Sequence, residues 1–174
     1  MRHAIIPVIL LFMLAFEGVA IELLPPSIKF AEIYIIPQWV LMFLILVTIY
    51  SYTKMPIIPI IYGAVFGLMT DIVYTNILGV YMFVVALAVY VAQLLNRLFQ
   101  ANIFMVIIIA TVSLFVLEFS LVFIYSFLGI STMSINQFLV FRFLPTWIAN
   151  ILFIVIIYYP TKQLLAWMNA KKIT

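Results

Sequence analysis

The sequence predicts an all-α integral membrane protein with six transmembrane helices and both termini in the cytoplasm, and three observations predict it. Of its residues, 69% are hydrophobic and only 7% charged, where a soluble domain carries roughly 25% charged residues. Mean hydropathy is +1.38. The apolar runs are long and continuous, as helices crossing a bilayer of about 30 Å require, whereas barrel strands would alternate polar and apolar residues over roughly ten positions. The basic residues are also unevenly placed. Arg2, Lys54, Arg97, Lys162, Lys171 and Lys172 fall on one side of a six-span layout, and Lys29 lies in a loop on the other. By the positive-inside rule, that asymmetry puts both ends of the chain in the cytoplasm.

The elements follow in order within one domain, residues 1–174. Span one, 4–24, is interrupted by Glu17, Gly18 and Glu22 and is expected to stay on the protein, because an acid beside a Gly-x-Ala site argues against signal cleavage. Pro25-Pro26 breaks it. Span two, 38–53, carries Trp39, Tyr50 and Tyr52 as interfacial anchors, and Met55-Pro56 turns the chain into span three, 57–74. Pro59 is tolerated there in the first turn, where its missing N–H costs little. Span four covers 80–96. Span five, 103–128, exceeds the bilayer and should tilt. Span six, 138–159, is expected to stop at Pro160 before a short basic tail.

Polar residues inside the spans are the informative ones, since a charge near the bilayer centre costs about 2.5 to 3.5 kcal/mol on insertion scales. Glu17, Asp71, Glu118 and Arg142 all fall in the outer half of the predicted layout, which leaves Arg142 as the cation available to three acids. Arg142, Thr146 and Asn150 recur every four residues and form a polar stripe on span six. Thr111 and Glu118 share a face of span five. The expectation is a network in which Arg142 pairs with Asp71 or Glu118 and locks spans three, five and six together. Span three adds a second pattern, because Gly63, Gly67 and Asp71 are four apart and Tyr74 returns to their face, with Gly79 in the turn that follows. Small residues at that spacing let another helix come close, either from the same chain or from a partner.

Much chemistry is excluded. Cysteine is absent, which removes disulfides, thiol nucleophiles and cysteine metal sites. His3 is the only histidine, and the chain has no phosphate-binding glycine loop, no zinc-protease helix motif and no serine with a placed histidine. No catalytic residue, cofactor, metal or nucleic acid is expected.

The run Tyr62-Gly63-Ala64-Val65-Phe66-Gly67-Leu68-Met69-Thr70-Asp71, continuing through Tyr74-Thr75 to Leu78-Gly79-Val80-Tyr81, resembles the MreD family of bacterial rod shape-determining proteins. So do Pro37-Gln38 at the start of span two, Leu117-Glu118-Phe119 in span five, and Arg142-Phe143-Leu144-Pro145-Thr146 leading to Asn150 in span six. The resemblance covers essentially the whole chain. It implies a non-enzymatic scaffold of the elongasome in the bacterial cytoplasmic membrane. Such a subunit works with MreC, the actin-like MreB, and the glycosyltransferase and transpeptidase that build lateral peptidoglycan and set cell shape. It also implies a fold similar to the substrate-binding subunits of energy-coupling-factor vitamin transporters, and that likeness supplies the alternative function. MreD-like proteins are thought to grip the single transmembrane helix of MreC, so the resemblance turns the face of Gly63, Gly67, Asp71, Tyr74 and Gly79 into a partner groove.

Overall fold

The computed structural model describes residues 4–23, 34–50, 57–75, 77–98, 102–130 and 133–170. Arg2, His3, Pro25, Pro26, Lys29, Lys54, Met55, Pro56, Lys171 and Lys172 lie outside them. The described chain forms six helices: α1 Ile5–Glu22, α2 Trp39–Tyr50, α3 Ile57–Tyr74, α4 Val80–Asn96, α5 Ile103–Phe127 and α6 Ile135–Ala170. By length and composition α3, α5 and α6 are long and apolar enough to cross a membrane, and the other three are shorter apolar helices.

The bundle is centred on α2. Val40 to Val47 are buried without a break, and α2 touches every other described helix. A helix apolar on all sides can face lipid or sit among other helices, and here it takes the middle. The others surround it: α1 packs on α3, α3 on α4, α4 on α5, and α5 on α6. With 12 residues, α2 is only about 18 Å long. The non-helical stretch 34–38 lengthens it at its N-terminal end.

Glycines allow close approach at two of these contacts. A Cβ on Gly67 would lie 2.5 Å from the Tyr81 carbonyl oxygen and 2.9 Å from Met82 Cα, so α3 and α4 meet backbone to backbone there. At Gly63 the nearest atoms are Val89 Cγ2 at 3.3 Å and Ala86 Cα at 3.4 Å. This seam is filled by the chain's own fourth helix, which removes the open partner groove expected on Gly63 and Gly67. Tyr74 turns the other way. Its ring covers Gly18 of α1, and its hydroxyl donates to the Leu14 carbonyl at 2.9 Å.

α6 departs from expectation at both ends. It begins with a helical turn capped by Ser134 and Gln137, widens into π-helix over Phe138–Phe143, and then runs on as α-helix. Nor does it stop at Pro160, which lies inside it. Proline removes one backbone donor and crowds the preceding turn, but contacts beyond it hold the helix. Thr161 and Leu165 are buried, and Asn169 Nδ2 donates to the Tyr50 carbonyl at 3.1 Å. Nearby, the Tyr50 and Tyr158 hydroxyls meet at 2.9 Å, with the Lys162 ammonium over both rings.

Candidate functional site

The polar residues of the predicted spans gather at one end of the bundle, where α1, α3 and α5 finish and α2, α4 and α6 begin. What organises them is the extended stretch 34–38. Non-helical backbone among apolar side chains survives only when protein satisfies its polar groups, and here α6 does so residue by residue. Thr146 Oγ1 accepts from Ile36 N at 3.2 Å and donates to the Tyr34 carbonyl at 3.1 Å. Asn150 Oδ1 accepts from Gln38 N at 2.7 Å, while its Nδ2 donates to the Ile36 carbonyl at 2.9 Å. The registers match because two residues of extended chain advance about 6.6 Å and four residues of helix about 6 Å.

Pro145 completes the fit. It has no N–H to give the carbonyl four residues back, Phe141 O, and Tyr34 N donates to that oxygen at 2.8 Å.

Arg142 supplies the charged part of the clamp. Its Nε donates to Glu118 Oε2 at 2.8 Å, and Gln38 Nε2 donates to the other Glu118 oxygen at 3.2 Å. Glu118 is fully buried, and both of its oxygens are engaged. Between the two partners left open by the sequence, Arg142 takes Glu118. The pair ties α5 to α6, and Gln38 adds the entry of α2. One turn further in, Trp147 Nε1 donates to Thr111 Oγ1 at 2.9 Å across the same seam.

The remaining two acids cap neighbouring helices. Glu17 Oε1 accepts from Val40 N at 2.8 Å, at the first turn of α2. Asp71, also fully buried, accepts from the backbone N–H groups of Gly79, Tyr81 and Met82 at 2.8, 3.0 and 3.2 Å, and from Thr75 Oγ1 at 3.2 Å. Gly79 enters α4 with φ +95°, a left-handed conformation that favours glycine. Both side chains therefore accept from N–H groups that the first turn of a helix leaves free. Asp71 does not join the Arg142 network; it fastens the end of α3 to the start of α4.

So Glu118, Arg142, Thr146 and Asn150 come together, Glu17 adjoins them through α2, and Asp71 stands apart with Gly79. Helical periodicity does not reveal Gln38 as a network member or the stretch 34–38 as the thing being held. Pro37-Gln38 ahead of an apolar run was the available signal. No group of three or more metal-ligating side chains occurs among the described residues.

Comparison with known proteins decides the family. The family model for rod shape-determining protein MreD matches residues 2–168. The rod shape-determining protein MreD of Bacillus subtilis (strain 168) is 30% identical over 172 residues, covering 99% of this chain and 97% of that protein. This chain belongs to the MreD family. It is accordingly a rod shape-determining membrane protein, of a family that serves a structural role in cell shape. No solved structure matches it. In this member of the MreD family, the motif residues around Asp71, Glu118 and Arg142 are fasteners between helices of one bundle.

Proposed function

We propose that the chain is a non-enzymatic scaffold subunit of the cell-elongation complex, which grips the single transmembrane helix of MreC and so supports lateral peptidoglycan synthesis. MreB and the glycosyltransferase and transpeptidase of the machinery are its further partners. It lies in the cytoplasmic membrane with both termini in the cytoplasm, and its polar end occupies the outer half of the bilayer. One observation carries the scaffold reading: the three buried acids are each committed to groups of the chain itself that fix helix to helix. Among the described residues, Ser113 Oγ is the one buried side-chain polar atom without a hydrogen bond. An interior so committed suits a rigid platform better than a ligand cavity or an ion path, which need convergent groups with unused capacity. The vitamin-transporter alternative has no observation in its favour.

The test is affinity purification of the tagged chain from mild detergent, followed by mass spectrometry of protein and small molecules. A one-span protein should be enriched at a stoichiometric level. Recovery of a bound small molecule with no such protein would overturn the reading.

A further inference from the structure

We propose that the partner's transmembrane helix docks on the seam between α5 and α6 at the polar end, held there by hydrogen bonds from the unused edge of the Arg142 guanidinium. This rests on the scaffold reading above and names its contact surface.

A guanidinium carries five N–H donors in a fixed fork. Arg142 uses Nε toward Glu118, and among the described residues no acceptor meets its terminal nitrogens. The side chain is 16% exposed, whereas its Glu118 partner is fully covered. Arg142 lies on the π-helical turn Phe138–Phe143 near the start of α6. Lipid tails offer no acceptor, and an unpaired donor in hydrocarbon costs several kcal/mol. No described residue meets that demand, and the acceptor assigned to it is a membrane-embedded group on another helix.

Charge narrows its chemistry. Glu118 already neutralises Arg142, so a second carboxylate would leave net negative charge buried in apolar surroundings. The acceptor that fits is an uncharged Asn, Gln, Ser or Thr side chain on another helix, the usual polar contact between transmembrane helices.

The surface around the donor suits a helix. Phe115 and Phe119 stack at 5.7 Å along α5, while Phe143 meets Phe115 edge-on at 5.3 Å and Phe138 meets Phe119 edge-on at 6.3 Å. These rings lock one another and present a firm apolar flank, bordered by exposed Leu139 and Phe123.

The chain has no cysteine, so a single introduced thiol reports one position without background. Leu139→Cys and Phe123→Cys sample the seam, and Phe12→Cys on α1 and Ile72→Cys on α3 sample other exposed faces. Each is co-expressed with the full-length single-span partner carrying a cysteine scan of its transmembrane helix, and membranes are oxidised before purification. Disulfides should form from Leu139→Cys and Phe123→Cys and fail from the other two. Arg142→Lys keeps a cation for Glu118 and should be recovered folded, yet retain about tenfold less partner, in line with the loss of a hydrogen bond from a charged group. Cross-links from Phe12→Cys or Ile72→Cys instead would overturn the seam and leave the scaffold reading intact. If no one-span protein accompanies the unmodified chain, the scaffold reading itself fails. A disulfide between two copies at Leu139→Cys would make the seam a self-contact. Phospholipid lost from Arg142→Lys in native mass spectrometry, with partner retention unchanged, would make the acceptor a headgroup. Either result refutes the proposal.

Discussion

Replacing Asp71 with asparagine separates a helix fastener from a partner contact. The substitution preserves size and removes one acceptor oxygen. The structure says how the amide settles: its single oxygen takes the Oδ2 position, where Gly79 N and Met82 N both donate at 2.8 and 3.2 Å. That choice aims the amide nitrogen at Tyr81 N and Thr75 Oγ1, which Oδ1 had received. One buried backbone donor is then unsatisfied, at about 1 to 3 kcal/mol. Loss of the charge at the start of α4 adds about 0.5 kcal/mol of lost dipole interaction. Asp71→Asn should therefore cost about 2 to 3 kcal/mol, and Asp71→Ala, which strands all three N–H groups, about 4 kcal/mol or more. Unfolding in mixed micelles titrated with SDS, followed by tryptophan fluorescence, measures the difference. Val73→Ala, on an exposed neighbour, should lie within about 0.5 kcal/mol of the parent. If Asp71→Asn unfolds with the parent and only partner recovery drops, the acid serves recognition and the capping argument is wrong.

The two glycines of α3 should part company under the same assay. Gly67→Ala drives a methyl into the Tyr81 and Met82 backbone and should separate α3 from α4 at a cost of about 3 kcal/mol or more. Gly63→Ala meets a side-chain methyl and a Cα beyond 3 Å and should change stability by less than about 1 kcal/mol; equal effects would show that the seam is not set by backbone contact. For the ion pair, Arg142→Leu strands the buried Glu118 carboxylate and should cost about 3 to 5 kcal/mol, much of it recovered in the double variant Arg142→Leu, Glu118→Leu. Additive losses in that cycle would argue that the two groups act independently. Asn150→Leu should destabilise by about 2 to 4 kcal/mol, because Gln38 N and the Ile36 carbonyl both lose their partner. Proteolysis within 34–38 should rise at the same time.

The likeness of the site to its sequence pattern is uneven, for physical reasons. Arg142, Thr146 and Asn150 were readable as one stripe because helical spacing fixes which residues share a face. What the stripe faces was not readable, since its main object is backbone, and the N–H and C=O groups of Tyr34, Ile36 and Gln38 leave no mark in a one-letter code. Asp71 shows the same limit. Its four-residue spacing from Gly67 put it on the glycine face of α3 without naming the helix that face meets, and its partners are N–H groups of α4, which any residue there would supply.

By itself, then, the sequence determined a membrane-embedded, all-helical chain, the order of its apolar segments, and the few positions where polarity is too costly to be idle. Those properties are local, set by hydropathy, by helical periodicity and by the expense of burying charge. The tertiary structure alone decided which helix is central, since α2 is apolar on every side and carries no directional signal. It alone chose Glu118 for Arg142, gave the glycine face to α4, and carried α6 through Pro160. Each of these depends on which surfaces meet across distant parts of the chain, and apolar helices of similar composition can satisfy their hydropathy in many arrangements. Close backbone approach at Gly67 and the hydrogen bonds along 34–38 select one of them.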